Sequence, residues 1–115
     1  MANTFKVITK AGVTSADVIY TVAGSTTTVV LVFILGNTTS SSINATVTLT
    51  SDTSGRAGNN DEANQAVELI TATPIPGNSS LELLAGNKVV METTDTLSVT
   101  GTGATDVALS VMEIT

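Results

Sequence analysis

The 115-residue chain contains no cysteine, no histidine and no tryptophan. Without cysteine there is no disulfide, no thiolate nucleophile and no thiolate metal site. Without histidine the commonest general base and the commonest transition-metal ligand are both missing, leaving carboxylates, hydroxyls, three lysines and Tyr20 for any chemistry. Aromatic residues make up 3% of the chain, namely Phe5, Tyr20 and Phe33. That is poor equipment for stacking on a sugar ring or a base. Positive charge is scarce as well: Lys6, Lys10, Arg56 and Lys88 stand against ten acidic residues, for a net charge of −6. The four cations are scattered, so the basic stripe that would bind nucleic acid and the polybasic segment that would bind anionic lipid are both lacking. Neither nucleic acid nor a membrane is an expected partner. The longest apolar run, Val29 to Leu35, is seven residues, against the ~20 of a membrane-spanning helix, and reads as a strand. The opening Met1 to Lys6 lacks the charged and apolar regions of a secretory signal, so synthesis inside the cell is expected.

What the chain has in abundance is hydroxyls. Thr and Ser supply 33 of 115 residues beside a 42% hydrophobic content, while charged residues make up only 12%. Average soluble domains carry roughly 25% charged residues, so hydroxyls have taken over much of the solvating role. β-branched Thr and Val suit a pleated surface.

Apolar residues recur with a period of two, and no 3.6-residue stripe competes with it. Val47 and Leu49 alternate with Thr46, Thr48 and Thr50. The same pattern places Val18, Tyr20 and Val22 on one face, and Val67 and Leu69 on one face with Glu68 between them. Leu81 and Leu83 flank Glu82, while Val89 and Met91 alternate with Val90 and Glu92. Leu97 and Val99 begin a further strand. In the last one Val107, Leu109 and Val111 align, with a change of register expected around Met112. Val29 to Leu35 reads as a central strand covered on both faces, Val29, Leu31, Phe33 and Leu35 on one and Val30, Val32 and Ile34 on the other. On that reading Val32→Asp prevents folding or assembly.

Gly-Asn turns occur at Gly36-Asn37, Gly58-Asn59, Gly77-Asn78 and Gly86-Asn87, the last with the spacing of a two-residue hairpin. Pro74 and Pro76 end a strand. The polar stretch Ser51 to Asn64 reads as an exposed loop. These features predict an all-β protein, an antiparallel β-sandwich or jelly roll of seven or eight short strands. Residues 1–16 form an N-terminal arm or a first strand, and 17–115 form one β-sandwich domain.

Candidate chemistry is thin. Asn37, Asn44 and Asn78 match the glycosylation pattern, as chance matches in a chain so rich in Ser and Thr. Asp52, Asp61 and Glu62 could offer oxygens to a calcium ion, but their spacing fits no known calcium loop, and solvated loop charge is the plainer reading. Glu82 and Glu92, neighbours if the Gly86-Asn87 hairpin forms, could suggest paired-carboxylate catalysis; outward-facing solubility charges explain them better. Gly101-Thr102-Gly103 is a turn without the helix that a phosphate loop needs. No catalytic, cofactor-binding or metal site is assigned, and no cofactor is expected. Such a domain works by assembling.

Several segments resemble small virion structural proteins of tailed bacteriophages, particularly phages of cyanobacteria and other aquatic bacteria. They are the opening MANTFK, Tyr20-Thr21-Val22 leading through Ser25 to Thr28 into Val29-Val30, Asn37-Thr38-Thr39-Ser40, Thr73 to Leu81, Gly86 to Met91, Asp95 to Val99 and Ala108 to Thr115. The resemblance spans nearly the whole chain. It implies a non-enzymatic β-sandwich present in several copies on the particle, a homo-oligomer located in the virion and bound to other virion proteins of the capsid, neck or tail. Capsid decoration or the head-tail neck is the expected place. The alternative is a tail or fibre module that binds a host-surface glycan through Arg56, Asp61 and Glu62.

Overall fold

A computed structural model describes residues 2–51, 65–84 and 86–115. Among them are nine strands and no helix. They are β1 (Asn3–Val13), β2 (Asp17–Thr21), β3 (Thr27–Asn37), β4 (Ile43–Thr50), β5 (Ala66–Ile75), β6 (Ser79–Glu82), β7 (Val89–Met91), β8 (Thr96–Gly101) and β9 (Thr105–Ile114). All pairings are antiparallel. Sheet A runs β1-β9-β3-β6, with β7 also on β3, and sheet B runs β2-β8-β4-β5. The fold is an antiparallel β-sandwich. Since β6 and β7 occupy successive stretches of β3, each sheet has four strand positions, and the connectivity is that of a jelly roll.

The chain passes between sheets at most connections, and among the described residues only β4 and β5 are consecutive strands paired with one another. Inward-facing residues of both sheets form one core, which includes Phe33, Leu35, Val47, Ile75, Met91, Leu97, Val99, Leu109 and Val111. Residues 3–13 belong to the sandwich as a first strand: β1 pairs with β9 from Asn3↔Ile114 to Lys10↔Val107, resuming at Val13↔Thr105 after a bulge.

Bulges change several faces expected from strict alternation, because an extra residue reverses which side every later side chain occupies. In β3 the register shifts between Val30 and Val32. Val30, Phe33 and Leu35 therefore face the core, while Val29, Val32 and Ile34 lie on the outer side, exposed or half-buried. The two-face assignment for Val29 to Leu35 is corrected accordingly. In β2 a shift between Val18 and Tyr20 leaves Val18 exposed while Tyr20 and Val22 are buried. Edge strand β5 is irregular too, with Val67 exposed and Ala72 at a positive φ of 43°. β9 departs in the opposite sense. Its alternation continues past Met112, so that Glu113 is the next inward residue and is buried.

The hairpin at Gly86-Asn87 does not form. β6 and β7 both pair with β3, Glu82 opposite Ile34 and Met91 opposite Thr28, so they follow one another along the same strand instead of facing each other. At Gly77-Asn78 the left-handed residue is Asn78, at φ 58°. A Cβ on Gly77 would collide with the Ser40 carbonyl, so glycine is needed there for close approach. Gly58-Asn59 and nearly all of the Ser51 to Asn64 stretch lie outside the described residues.

Candidate interaction face

The outer surface of sheet A follows from its register. One row crosses four strands: Phe5 pairs with Met112, Met112 with Val29, and Val29 with Val90. The next row is Val7, Ser110 and Val32, and the one beyond is Thr9, Ala108, Ile34 and Glu82. Phe5 is 71% exposed, Val7 67%, Val90 62% and Val32 36%. The three central rows thus form an apolar surface whose single formal charge, Glu82, sits at one corner. Asn3, Ile114 and Thr27 bound it at one end, where Glu92 follows Met91 of β7, and Asp106, Gly36 and Ser80 at the other. This is the anatomy of a contact face, with an apolar centre and a polar rim.

β1 is one edge strand of sheet A, and its polarity is inverted. Phe5 and Val7 lie on the outer side, whereas Lys6 and Lys10 take the positions beside inward Val111 and Val107 of β9. Lys10 pairs with Asp17 at 3.2 Å, and Lys6 with Glu113 at 2.8 Å. Lysines at such an edge oppose indiscriminate strand addition.

Beneath the face lies a buried polar cluster that joins the sheets. Glu113 of β9 lies directly opposite Thr28 of β3. The Tyr20 hydroxyl, reaching from sheet B, donates to Glu113 Oε2 at 2.6 Å and lies 2.7 Å from Thr28 Oγ1. Because the single Tyr20 proton is committed to Glu113, the Thr28 hydroxyl is the donor to Tyr20. The Lys6 ammonium and the Tyr20 hydroxyl hold the Glu113 carboxyl below the usual carboxylate range, against the opposing effect of burial. Burial first, and then the bond to Glu113 and its negative charge, push Tyr20 up to about 12. An ionised, fully engaged carboxylate beside a phenol held protonated has nothing to exchange near neutral pH. The cluster is a clamp between layers.

Other candidate residues are dispersed. Glu82 and Glu92 are separated along the β3 edge by roughly 20 Å at ~3.3 Å per residue, well beyond the 5–10 Å of a catalytic pair. Arg56, Asp52, Asp61 and Glu62 fall outside the described residues. Among the described residues no group of three or more acidic side chains could hold a metal ion. Asn37 is buried and donates to the carbonyls of Ser41, Ile75 and Pro76, which removes it as a glycan acceptor. It borders an open depression of about 480 Å³ lined by Gly36, Asn37, Thr38, Asn78, Ser79 and Ser80, a hydroxyl and amide surface without charge or aromatic ring. Tyr20 and Phe33 are buried, so neither ring is presented to a sugar.

Sequence reasoning missed Glu113, Lys6 and Thr28 as a unit, and missed the outward Phe5 and Val7. The signal for Glu113 was the two-residue period itself, which reaches position 113 after Val107, Leu109 and Val111. A Tyr in an inward position also requires a hydroxyl partner.

Neither a protein-family model nor a curated protein sequence matches this chain. Among solved structures, a protein described under Bacillus endospore appendages that form a novel family of disulfide-linked pili is 16% identical, with a TM-score of 0.49 over 97% of this chain and 84% of that one. A likeness at that level carries no functional inference. The disulfide linkage named for that protein has no counterpart here, where cysteine is absent.

Proposed function

We propose that this chain is a non-enzymatic structural protein of a tailed bacteriophage virion, an oligomeric capsid-decoration or head-tail neck component that assembles through the outer face of sheet A. The observation that carries the reading is the row Phe5, Met112, Val29 and Val90, apolar and uncovered across four strands of a sandwich whose interior is already packed. Nothing inside the fold requires those side chains to be apolar. Water disfavours them, at about 25 cal/mol per Å² of exposed apolar surface, so a role in contact explains them where a role in folding does not. The virion assignment rests on the resemblance of the opening segment, the β2-β3 segment, the Asn37 to Ser40 loop and the β5-β6, β7, β8 and β9 segments to small phage structural proteins. The glycan-binding alternative finds less support, since the described loops offer polar lining but no ring.

The test is incorporation. Phage particles assembled in a host that supplies the tagged chain should carry it through density-gradient purification in a fixed copy number, and Val32→Asp should fail to join them while remaining soluble and folded. Absence of the wild-type chain from purified particles would remove the virion reading.

A further inference from the structure

We propose that the outer face of sheet A is a homotypic interface, in which a second copy of this chain packs its own sheet A face to face about a two-fold axis lying in the plane of the face. The proposal deepens the assembly reading above and rests on it for the face, while naming the occupant.

Two features of the face favour a second copy. The first is charge. A chain of net charge −6 meets its own copy with least repulsion where carboxylates are absent, and the rows Phe5-Met112-Val29-Val90 and Val7-Ser110-Val32 contain none. One described cation, Lys88, lies at the border of the face, two residues before Val90. The second is area. Eleven-residue strands and four strand positions give a face roughly 35 Å by 17 Å, on the order of 600 Å², near the ~800 Å² per partner of a standard interface. Two such sheets would stack ~10 Å apart, with aligned strands crossing at about 30°. Ser110 occupies the middle row, near the centre of the face.

The absence of cysteine makes a clean test possible. Light scattering of the purified chain over a wide concentration range should show a dimer, or an even-numbered assembly built on it. Val7→Asp and Val90→Asp, on different strands and both well exposed in the single chain, should each shift the equilibrium to monomer by at least 100-fold while circular dichroism and melting temperature stay close to wild type. A thiol at Ser110→Cys should be joined to its counterpart by a short bismaleimide, since a 10 Å sheet spacing is too wide for a direct disulfide, and a thiol at Ser98→Cys on sheet B should not. A wild-type monomer at every concentration, an odd-numbered ring, a dimer untouched by both aspartates, or cross-linking through Ser98→Cys in place of Ser110→Cys would each overturn the homotypic interface. Failure here and failure of the virion role are separable. A wild-type monomer whose Val7→Asp variant drops out of particles overturns the second copy as occupant but keeps the face in virion contact, whereas a dimer that never enters particles supports the interface and removes the virion.

Discussion

The two outer faces of the sandwich are built on similar backbones and similarly shaped side chains, yet their chemistry is opposite. On sheet B the outward rows are Thr46 with Thr100, Thr48 with Ser98 and Val18, and Thr50 with Thr96 and Thr21. On sheet A the equivalent rows carry Phe5, Met112, Val29 and Val90, then Val7 and Val32 around Ser110. Thr and Val differ by a hydroxyl in place of a methyl, and both favour a strand. The strand preference is thus served equally on both sides, and the hydroxyl decides which side is the better solvated one.

The largest change that would sharpen this contrast lies between neighbours on β3. Phe33→Ala, in the core, should cost about 3–5 kcal/mol in chemical denaturation, while Val32→Ala, one residue away on the outer side, should stay within about 0.5 kcal/mol. Equal losses would mean that the outer face is already covered in the isolated chain.

Next comes the clamp. Glu113→Gln should destabilise by about 2 kcal/mol, because a charged acceptor with two donors is replaced by a neutral amide. Glu113 has a folded pKa below its ordinary 4.5, so its contribution is complete above that value and is lost as pH falls through the folded pKa. Acid titrations of melting temperature should therefore decline below about pH 4.5 in wild type and flatten in the variant. Tyr20 titrates in the other direction. Its folded pKa is raised from 10.0 to about 12, so its contribution is present below pH 10 and disappears as pH rises toward 12; Tyr20→Phe should abolish that alkaline decline.

Smaller still in stability is the conversion of one face into the other. The triple change Val7→Thr, Val32→Thr and Val90→Thr should move stability by less than about 1 kcal/mol yet remove self-association in sedimentation. In the reverse direction Thr46→Val with Thr48→Val should change stability by only about 0.5 kcal/mol and give sheet B a weak, concentration-dependent stickiness. Unchanged association in both sets would mean that face chemistry does not govern assembly.

Much of the fold was legible along the chain, and the illegible parts have specific causes. Val47, Leu97, Val99, Val107, Leu109 and Val111 are buried as their alternation requires. β2 and β3 defeat simple alternation because a bulge adds one residue without altering composition, which turns Val18 and Val32 outward. The Gly86-Asn87 hairpin failed for a different reason. Its spacing is compatible with local pairing, but β3 offers both β6 and β7 a longer apolar partner. The candidate face was invisible because its rows gather positions 5, 29, 90 and 112, which only the register brings side by side.

By itself the sequence determined the class of structure and excluded thiol and imidazole chemistry. Thr and Val at a two-residue period specify strands, and a chain without cysteine or histidine has few groups that react near neutral pH. The tertiary structure decided which strands meet, which way β1 turns its Phe and Val, and that Glu113 shares its charge with Lys6 and Tyr20. Periodicity is local and follows from backbone geometry, whereas sheet register is set by pairing residues as far apart as Asn3 and Ile114. One inserted residue then settles which side chains meet water and which remain available to another molecule.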